Sequence, residues 1–331
     1  MIKEIINRIV CDLSIARLER KLATGAGRLQ AAVNNLVDES GQKVSSIRRV
    51  RFGGVNNNGM FVGYSASAPV LLIKLQPTIL AEREIAFMHW QSRNRLNLTP
   101  DVFSHFSLTD AAVTATCSRF LATPSHYEAA KVHALHQRLT SASQYRSDLA
   151  TDTELQDAIE ADTPIKKVLS GLVIKKPEED ISVWLKQFLR ERKQRFADDK
   201  LFNSVSEFFY SVAVSWSQLA SPLSLVHGDF KRQNILMDDS GQYQLIDLQY
   251  YTTGQPLWDL AFYYSKYDDG FAAAIQDYEK NKEGGTDSDV LFIFFYLVAV
   301  LINIKPKRWR RVAETKVIPA LARIKAMDGG L

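Results

Sequence analysis

The stretch LVHGDFKRQNILMDDSGQYQLIDLQ, residues 225–249, decides how this chain is read. The runs LSLV, ILM and QYQLI within and beside it are short, apolar and bounded by polar or turn-forming residues, the pattern of short buried strands. DDSG between the second and third runs puts Asp238 and Asp239 in a turn, a common place for acids that cap backbone amides. Three polar residues remain that a scaffold does not need. Asp229 lies just beyond the first strand, Asn234 five residues later, and Asp247 at the end of the third. Folded as strand ends, they meet at one mouth. Two carboxylates and an amide oxygen at close quarters repel one another unless a cation lies between them. Mg²⁺ suits the set: it is hard, and it is commonly held by few protein ligands together with phosphate oxygens.

Working outward, the 331 residues are enough for two domains or one large bilobal unit, and 46% hydrophobic with 24% charged is the composition of an ordinary globular protein. Lys plus Arg at 41 against Asp plus Glu at 37 gives a net charge of +4, too mild an excess to argue for nucleic acid as a partner. Cys11 and Cys117 are the only cysteines, so neither a disulfide framework nor a Cys/His zinc pattern is indicated, and a cytoplasmic location is expected. His133 and His136 share a helix face and are read as solvated or core-edge residues. The N-terminus carries Glu4 among apolar residues at helical spacing and lacks a small-residue cleavage site. Val290–Ile304 is too short for the roughly 18–20 apolar residues of a spanning helix and reads as a buried helix, so no integral membrane span is expected. The basic run after it, including Lys305, Lys307, Arg308, Trp309, Arg310 and Arg311, leaves a peripheral membrane contact open.

Helical spacing covers residues 2–22 and Leu29–Val37, with Gly25 and Gly27 separating them. SIRRVRFGG, MFVGYSA and PVLLIKLQ read as strands, TILAEREIAFMHW as a helix with Thr78 as its N-cap, and VTATCSRFLAT as a further strand. After Pro124 the chain turns helical, interrupted only by the opening stretch.

Asp-x-x-x-x-Asn followed by a strand-borne Asp resembles the catalytic and metal-binding segments of the protein-kinase-like fold. The local form HGDFKRQNIL with LIDLQ, and GQPLWDLAFYY downstream, is similar to the aminoglycoside phosphotransferase and choline kinase family. Asp247 is followed by Leu248 and Gln249, not by the Phe-Gly of protein kinases. The resemblance implies an α+β, bilobal fold: a small N-terminal lobe over 1–120 with a mainly antiparallel sheet and leading helices, and a larger, mostly helical lobe over 121–331 with the catalytic loop and acceptor site. It implies an enzyme that moves the γ-phosphate of ATP, with Mg²⁺, to a hydroxyl of a small molecule such as a sugar, amino sugar or choline-like amine. A catalytically silent binding scaffold is the alternative, and a protein kinase a further one.

By the same resemblance Asp229 is the catalytic residue, and Asn234 and Asp247 are the metal ligands. Lys74 meets the nucleotide phosphates, with Glu84 as its partner and Glu82 as the fallback. His227 and Asp259 support the loop, and Ser118–Leu121 contact the nucleotide. FGGVNNNGMFV occupies the place of a phosphate-covering loop: Gly53 and Gly54 permit positive φ, and Asn57 and Asn58 offer amide donors. Of the aromatic cluster near Trp258, most members are read as core, and Tyr250 and Tyr251 as the candidates for an acceptor pocket.

Overall fold

The structure, a computed structural model, describes residues 26–50, 59–108, 112–142, 153–160, 181–196, 199–213, 224–282 and 286–328. Its first elements in chain order are α1 (Ala26–Glu39), β1 (Ser46–Val50), β2 (Gly59–Ser65), β3 (Ala68–Pro77), α2 (Thr78–Arg93), β4 (Val102–Leu108) and β5 (Val113–Arg119). There follow α3 (Ala129–Ser141), α4 (Thr153–Glu160), α5 (Ile181–Arg195), α6 (Lys200–Ala213), β6 (Ser224–Val226), β7 (Ile235–Met237), β8 (Tyr243–Leu245) and β9 (Thr252–Gly254). The last are α7 (Leu257–Ser265), α8 (Gly270–Asn281), α9 (Thr286–Asn303), α10 (Trp309–Val312) and α11 (Ile318–Asp328). The chain divides into two compact units. The first takes Met1–Pro124, Leu149–Ile159 and Leu236–Gln249; the second takes Ser125–Asp148, Glu160–Ile235 and Tyr250–Leu331.

In the first unit five strands form an antiparallel sheet of order β1-β2-β3-β5-β4. Alternation along β3 sorts its side chains to two faces. Leu71, Ile73 and Leu75 pack with Val33, Leu36 and Val37 of α1 and with Ala115 and Cys117 of β5. Lys74, between Ile73 and Leu75, therefore points to the other face. Burial pushes the Cys117 thiol up to about 12, so it stays a protonated core residue. The strand Val102–Leu108 went unseen in the sequence because it is the outer edge, half-exposed, with Ser104, His105 and Ser107 breaking its apolar run.

Two local expectations are corrected. Gly27 lies inside α1, in its first turn, where the amides have no intrahelical partner and a glycine costs little. Thr78 is the first residue of α2 rather than its cap: Pro77 takes the cap position with no side-chain bond, and the Thr78 hydroxyl instead accepts from Thr114 Oγ1 at 3.3 Å. The helix anticipated over residues 2–22 lies outside the described residues.

The second unit is helical around a short antiparallel pair, in which Ser224, Leu225 and Val226 of β6 oppose Gly254, Thr253 and Thr252 of β9. α9 supplies the centre of its core: Phe292 to Ala299 are all 2% exposed or less. No helix of the described residues is long and apolar enough to cross a membrane. Trp309 takes no part in the membrane contact left open for the basic run. It is buried against Phe196 and Phe202, with ring centroids at 5.4 and 5.2 Å, and has no indole surface for a membrane, while Lys305, Lys307, Arg308, Arg310 and Arg311 around it are exposed.

Candidate functional site

The candidate residues form two clusters, one in each unit. In the first unit, the Lys74 ammonium on β3 sits between two acids. Its Nζ lies 3.1 Å from Glu84 Oε2 and 2.9 Å from Asp247 Oδ1. Burial works against the charged amine, but Glu84 and Asp247 together outweigh it and hold the Lys74 pKa above the ordinary lysine value. The helix register chooses between the two glutamates: Glu84 is buried and faces the lysine, whereas Glu82 is exposed. Glu84 also accepts the backbone N–H of Leu248 at 3.1 Å, and Arg83 Nε beside it donates to the carbonyl of Gln249 at 3.1 Å. Two successive residues of α2 thus grip the segment that follows Asp247. Asp247 itself has φ +63°, in the left-handed region, where a side chain other than glycine costs about 1 kcal/mol or more. Its partners hold it there: Lys74, and Gln249 Nε2 donating to Oδ1 at 3.2 Å.

The second unit holds the loop after β6. Asp259, fully buried on α7, accepts the backbone N–H groups of His227 at 2.6 Å and Gly228 at 3.0 Å. Burial raises the Asp259 pKa to about 6, more than these two amide donors lower it. Gly228 stands at φ +82°, a conformation open to glycine, and its carbonyl receives Trp258 Nε1 at 3.4 Å. The ring of His227, also fully buried, accepts the amide of Asp229 at Nδ1, 3.2 Å away. The loop backbone is therefore fixed by one carboxylate and one imidazole. On it, Asn234 Nδ2 donates to the Asp229 carbonyl at 2.9 Å and to its Oδ2 at 3.1 Å. Lys231 makes an ion pair with the same Oδ2.

Lys231 was not singled out in the sequence, although its place two residues after Asp229 was the available signal. Arg83 and Gln249 were missed as well, because each acts through a backbone carbonyl or a neighbouring acid rather than through a motif. Tyr251 is corrected: it is fully buried and offers no surface to an acceptor, while Tyr250 is half-buried. Trp258, Phe262, Tyr263, Tyr264 and Tyr267 are core, each 9% exposed or less. Leu121 is buried, and Phe120 and Ala122 are tied by backbone bonds to Val70 and Met237. Gly53, Gly54, Asn57 and Asn58 lie outside the described residues. Asp238 is a turn acid whose Oδ1 accepts from Ser240 and Gln242.

The donor chemistry fits Mg²⁺. In the second unit Asn234 spends its Nδ2 on Asp229, which leaves its amide oxygen outside that bond, and in the first unit Asp247 keeps a partly exposed carboxylate; each is an oxygen of the kind Mg²⁺ takes. Among the described residues no three acidic, histidine or cysteine side chains gather into a self-sufficient cage. Mg²⁺ needs none, since one or two such oxygens together with substrate phosphates is its common mode.

Solved structures show the fold, and a family model shows the family. Among solved structures, a GDP complex of an aminoglycoside 2'-phosphotransferase superposes with a TM-score of 0.55 at 13% identity, over 91% of this chain and 98% of that one. A protein of Ralstonia eutropha assigned to the aminoglycoside phosphotransferases gives 0.51 at 12%, over 90% and 98%. Choline kinase LicA from Streptococcus pneumoniae gives 0.49 at 12%, over 89% and 99%. The first two show that the fold is the kinase-like one. No curated protein sequence gives a significant match. The family described as "Phosphotransferase enzyme family" (APH) matches residues 53–288, which takes in the lysine strand, both clusters and the loop between β6 and β7, and the chain belongs to that family.

Proposed function

We propose that this chain transfers the γ-phosphoryl group of ATP to a hydroxyl of a small molecule. The observation that carries the reading is the Lys74–Glu84–Asp247 cluster: a buried strand amine between two acids, one of them in a strained backbone conformation, in a chain of the phosphotransferase family. A buried ion cluster is weak support for stability alone, and strain of this kind gathers where function requires it.

In this reading Lys74, oriented by Glu84, pairs with the α- and β-phosphate oxygens. Asn234 and Asp247 are the residues that would hold Mg²⁺, which when bound with the nucleotide neutralises charge on the phosphates. Asp229 orients the acceptor hydroxyl and takes its proton. The acceptor oxygen bonds to the γ-phosphorus as the bond to the β–γ bridging oxygen breaks, and ADP leaves with that electron pair. Lys231, already on Asp229, offsets charge beside the transferring group. Such catalysis is mostly positioning and charge stabilisation, and it requires a loop held as firmly as Asp259 and His227 hold this one. The use of ATP and the free thiol of Cys117 fit a cytoplasmic setting.

The test is a mass-spectrometric screen with Mg-ATP and pooled sugars, amino sugars, choline-type amines, sterols and nucleosides, with Asp229→Asn as the matched blank. A phosphorylated product that is absent from the blank is expected. No product, together with no rise in Tm on adding Mg-ATP, would reject the reading and leave a binding scaffold.

A further inference from the structure

His133 and His136 of α3 have no part in the phosphotransfer reading, yet the second unit shapes a cavity beside them. It measures about 370 Å³ and lies between α3, the start of α7 and the end of α8. That is room for a small organic molecule rather than for a water or two. Leu257 and Leu260 of α7 and Tyr278 of α8 give it apolar walls, the last with its ring stacked on Phe292 at 3.7 Å. Ala130 and Ala134 also line it and are exposed, so the cavity opens to solvent along α3. No residue of the Asp229 loop is among its walls.

The walls are neutral and rich in acceptors. Lys282, the one charged residue among those that line the cavity, is ion-paired with Asp289. Burial pushes both imidazoles down to about 4, so each is uncharged at neutral pH. His136 Nε2 lies 2.7 Å from the Pro256 carbonyl, which can only accept, so the ring proton is on Nε2 and Nδ1 is a bare acceptor. His136 is 7% exposed, and among the described residues nothing donates to that nitrogen. A buried acceptor without a donor is costly. Asn281 spends its Nδ2 on the Asp277 carbonyl at 2.8 Å, and the Thr140 hydroxyl donates to the Gln137 carbonyl at 3.1 Å. Each keeps an oxygen able to accept beside the same cavity.

The wall that would hold a ligand also holds the Asp229 loop. The His136 ring packs edge-on to Phe230, the residue after Asp229, with centroids 6.0 Å apart. Its Nε2 fixes Pro256 at the entry to α7, the helix whose Trp258 and Asp259 bind the backbone of His227 and Gly228. We propose that this cavity is a second binding site, for a small uncharged molecule that joins a hydroxyl to an apolar ring or chain, with the hydroxyl donating to His136 Nδ1. Bound there, the molecule secures the imidazole at its second nitrogen and quiets the loop that carries Asp229. A charged molecule would lose its hydration against leucine and neutral imidazole without gaining a counter-charge.

A matched set of compounds decides it: benzyl alcohol and cyclohexylmethanol, toluene as the apolar match, and benzylamine and benzoate as the charged ones. Affinities for the full chain come from ligand-detected NMR titrations. Nitrogen NMR of the histidine rings, with His136→Gln to assign the signal, reads Nδ1, and hydrogen exchange reads the amides of His227, Gly228 and Asp229. The alcohols are expected to bind about fivefold or more tighter than toluene and than either charged compound, the worth of one hydrogen bond. They should also move the His136 Nδ1 resonance and slow exchange of the three loop amides. Ala134→Phe and Ala130→Phe, at exposed helix positions, should close the cavity and weaken alcohol binding by about tenfold or more, with Tm near wild type. No binding of the alcohols, equal affinity for toluene or a charged compound, binding undiminished in both occluding variants, an unmoved Nδ1 resonance, or unchanged loop exchange at saturation each overturn the inference. None of these readouts uses ATP, so this inference and the phosphotransferase reading fail separately.

Discussion

The two clusters solve different electrostatic problems. In the first unit one ammonium, Lys74, is shared by two carboxylates, Glu84 and Asp247, so the group has a surplus of negative charge and calls for a cation. In the second unit the Asp229 carboxylate has its own ammonium, Lys231, and the pair is matched in charge. The first cluster is built from a strand, a helix and a backbone held in a left-handed turn. The second rests on a loop pinned by Asp259 and His227. The proposed phosphoryl transfer needs both arrangements, each fixed in advance by groups that do not have to move.

The largest expected effect separates the clusters by what they handle. Asp229→Asn should lower turnover by about 10²–10⁴ and leave nucleotide affinity close to wild type, as removal of a positioned base does. Asp247→Ala should do the reverse in kind, weakening Mg-nucleotide binding itself. Calorimetry with Mg-ATP beside steady-state rates would read both, and equal loss of affinity in the two variants would erase the distinction.

The same substitution made in each unit should then differ in size. Lys74→Met leaves Glu84 and Asp247 facing each other without their shared cation, and breaking a buried pair in this way costs about 3–5 kcal/mol. Lys266→Met removes a charge that burial, Lys231 and Lys316 oppose and Asp229 favours, and it keeps an apolar chain over Phe262, so it should cost far less. Urea unfolding of both variants tests this. A loss in Lys266→Met as large as that in Lys74→Met would mean that Lys266 has a structural anionic partner.

How much of this was legible in the sequence follows the same division. β2, β3, α2 and β5 could be read from apolar periodicity, and Asp229, Asn234 and Asp247 from their spacing, because strand ends and loop offsets are local properties. Glu84 against Glu82 could not be settled, since two residues on one helix differ only in which one faces the sheet. Edge strand β4, with polar residues along it, gave too weak a pattern. The grip of α2 on the segment after Asp247 was hidden for a stronger reason. Arg83 looks like any helix charge in AEREIAF, and only the fold brings it to the carbonyl of Gln249. Tyr251 was misassigned, and Trp309 left open, because amphipathic aromatics look alike in sequence whether they pack inside or line a surface.

A smaller effect probes how the second cluster is supported. Gly270 opens α8 at φ +87°, and a Cβ there would come within 2.6 Å of the carbonyl oxygen of Thr315, the neighbour of Lys316. Gly270→Ala should therefore cost about 1–3 kcal/mol in strain and displacement. It should leave the Lys74 cluster, in the other unit, intact. Unfolding and Mg-ATP affinity, measured together, show whether that separation holds.

The smallest effect is one of pH, and it belongs to the second unit alone. Burial holds both His133 and His136 down at about 4; Asp277 partly opposes it for the first, and the Pro256 carbonyl 2.7 Å from Nε2 for the second. Their folded values lie below the ordinary 6.5, so each contributes stability that is present above pH 6.5 and drains away as pH falls toward 4. Asp259 works the other way. Its folded value of about 6 exceeds the ordinary 3.8, so the native state holds an extra proton between those limits and gains relative stability as pH falls through that range. Two groups against one give these residues a net uptake of about one proton on unfolding between pH 4 and 6. His136→Gln keeps a donor for the Pro256 carbonyl and should flatten the slope of stability against pH by about one proton, whereas Asp259→Asn should steepen it by about the same amount. Denaturant titrations from pH 4 to 7 give these slopes directly. Equal slopes in the two variants would mean that neither buried group titrates as its surroundings require, and a slope that moved in only one variant would identify which burial is incomplete.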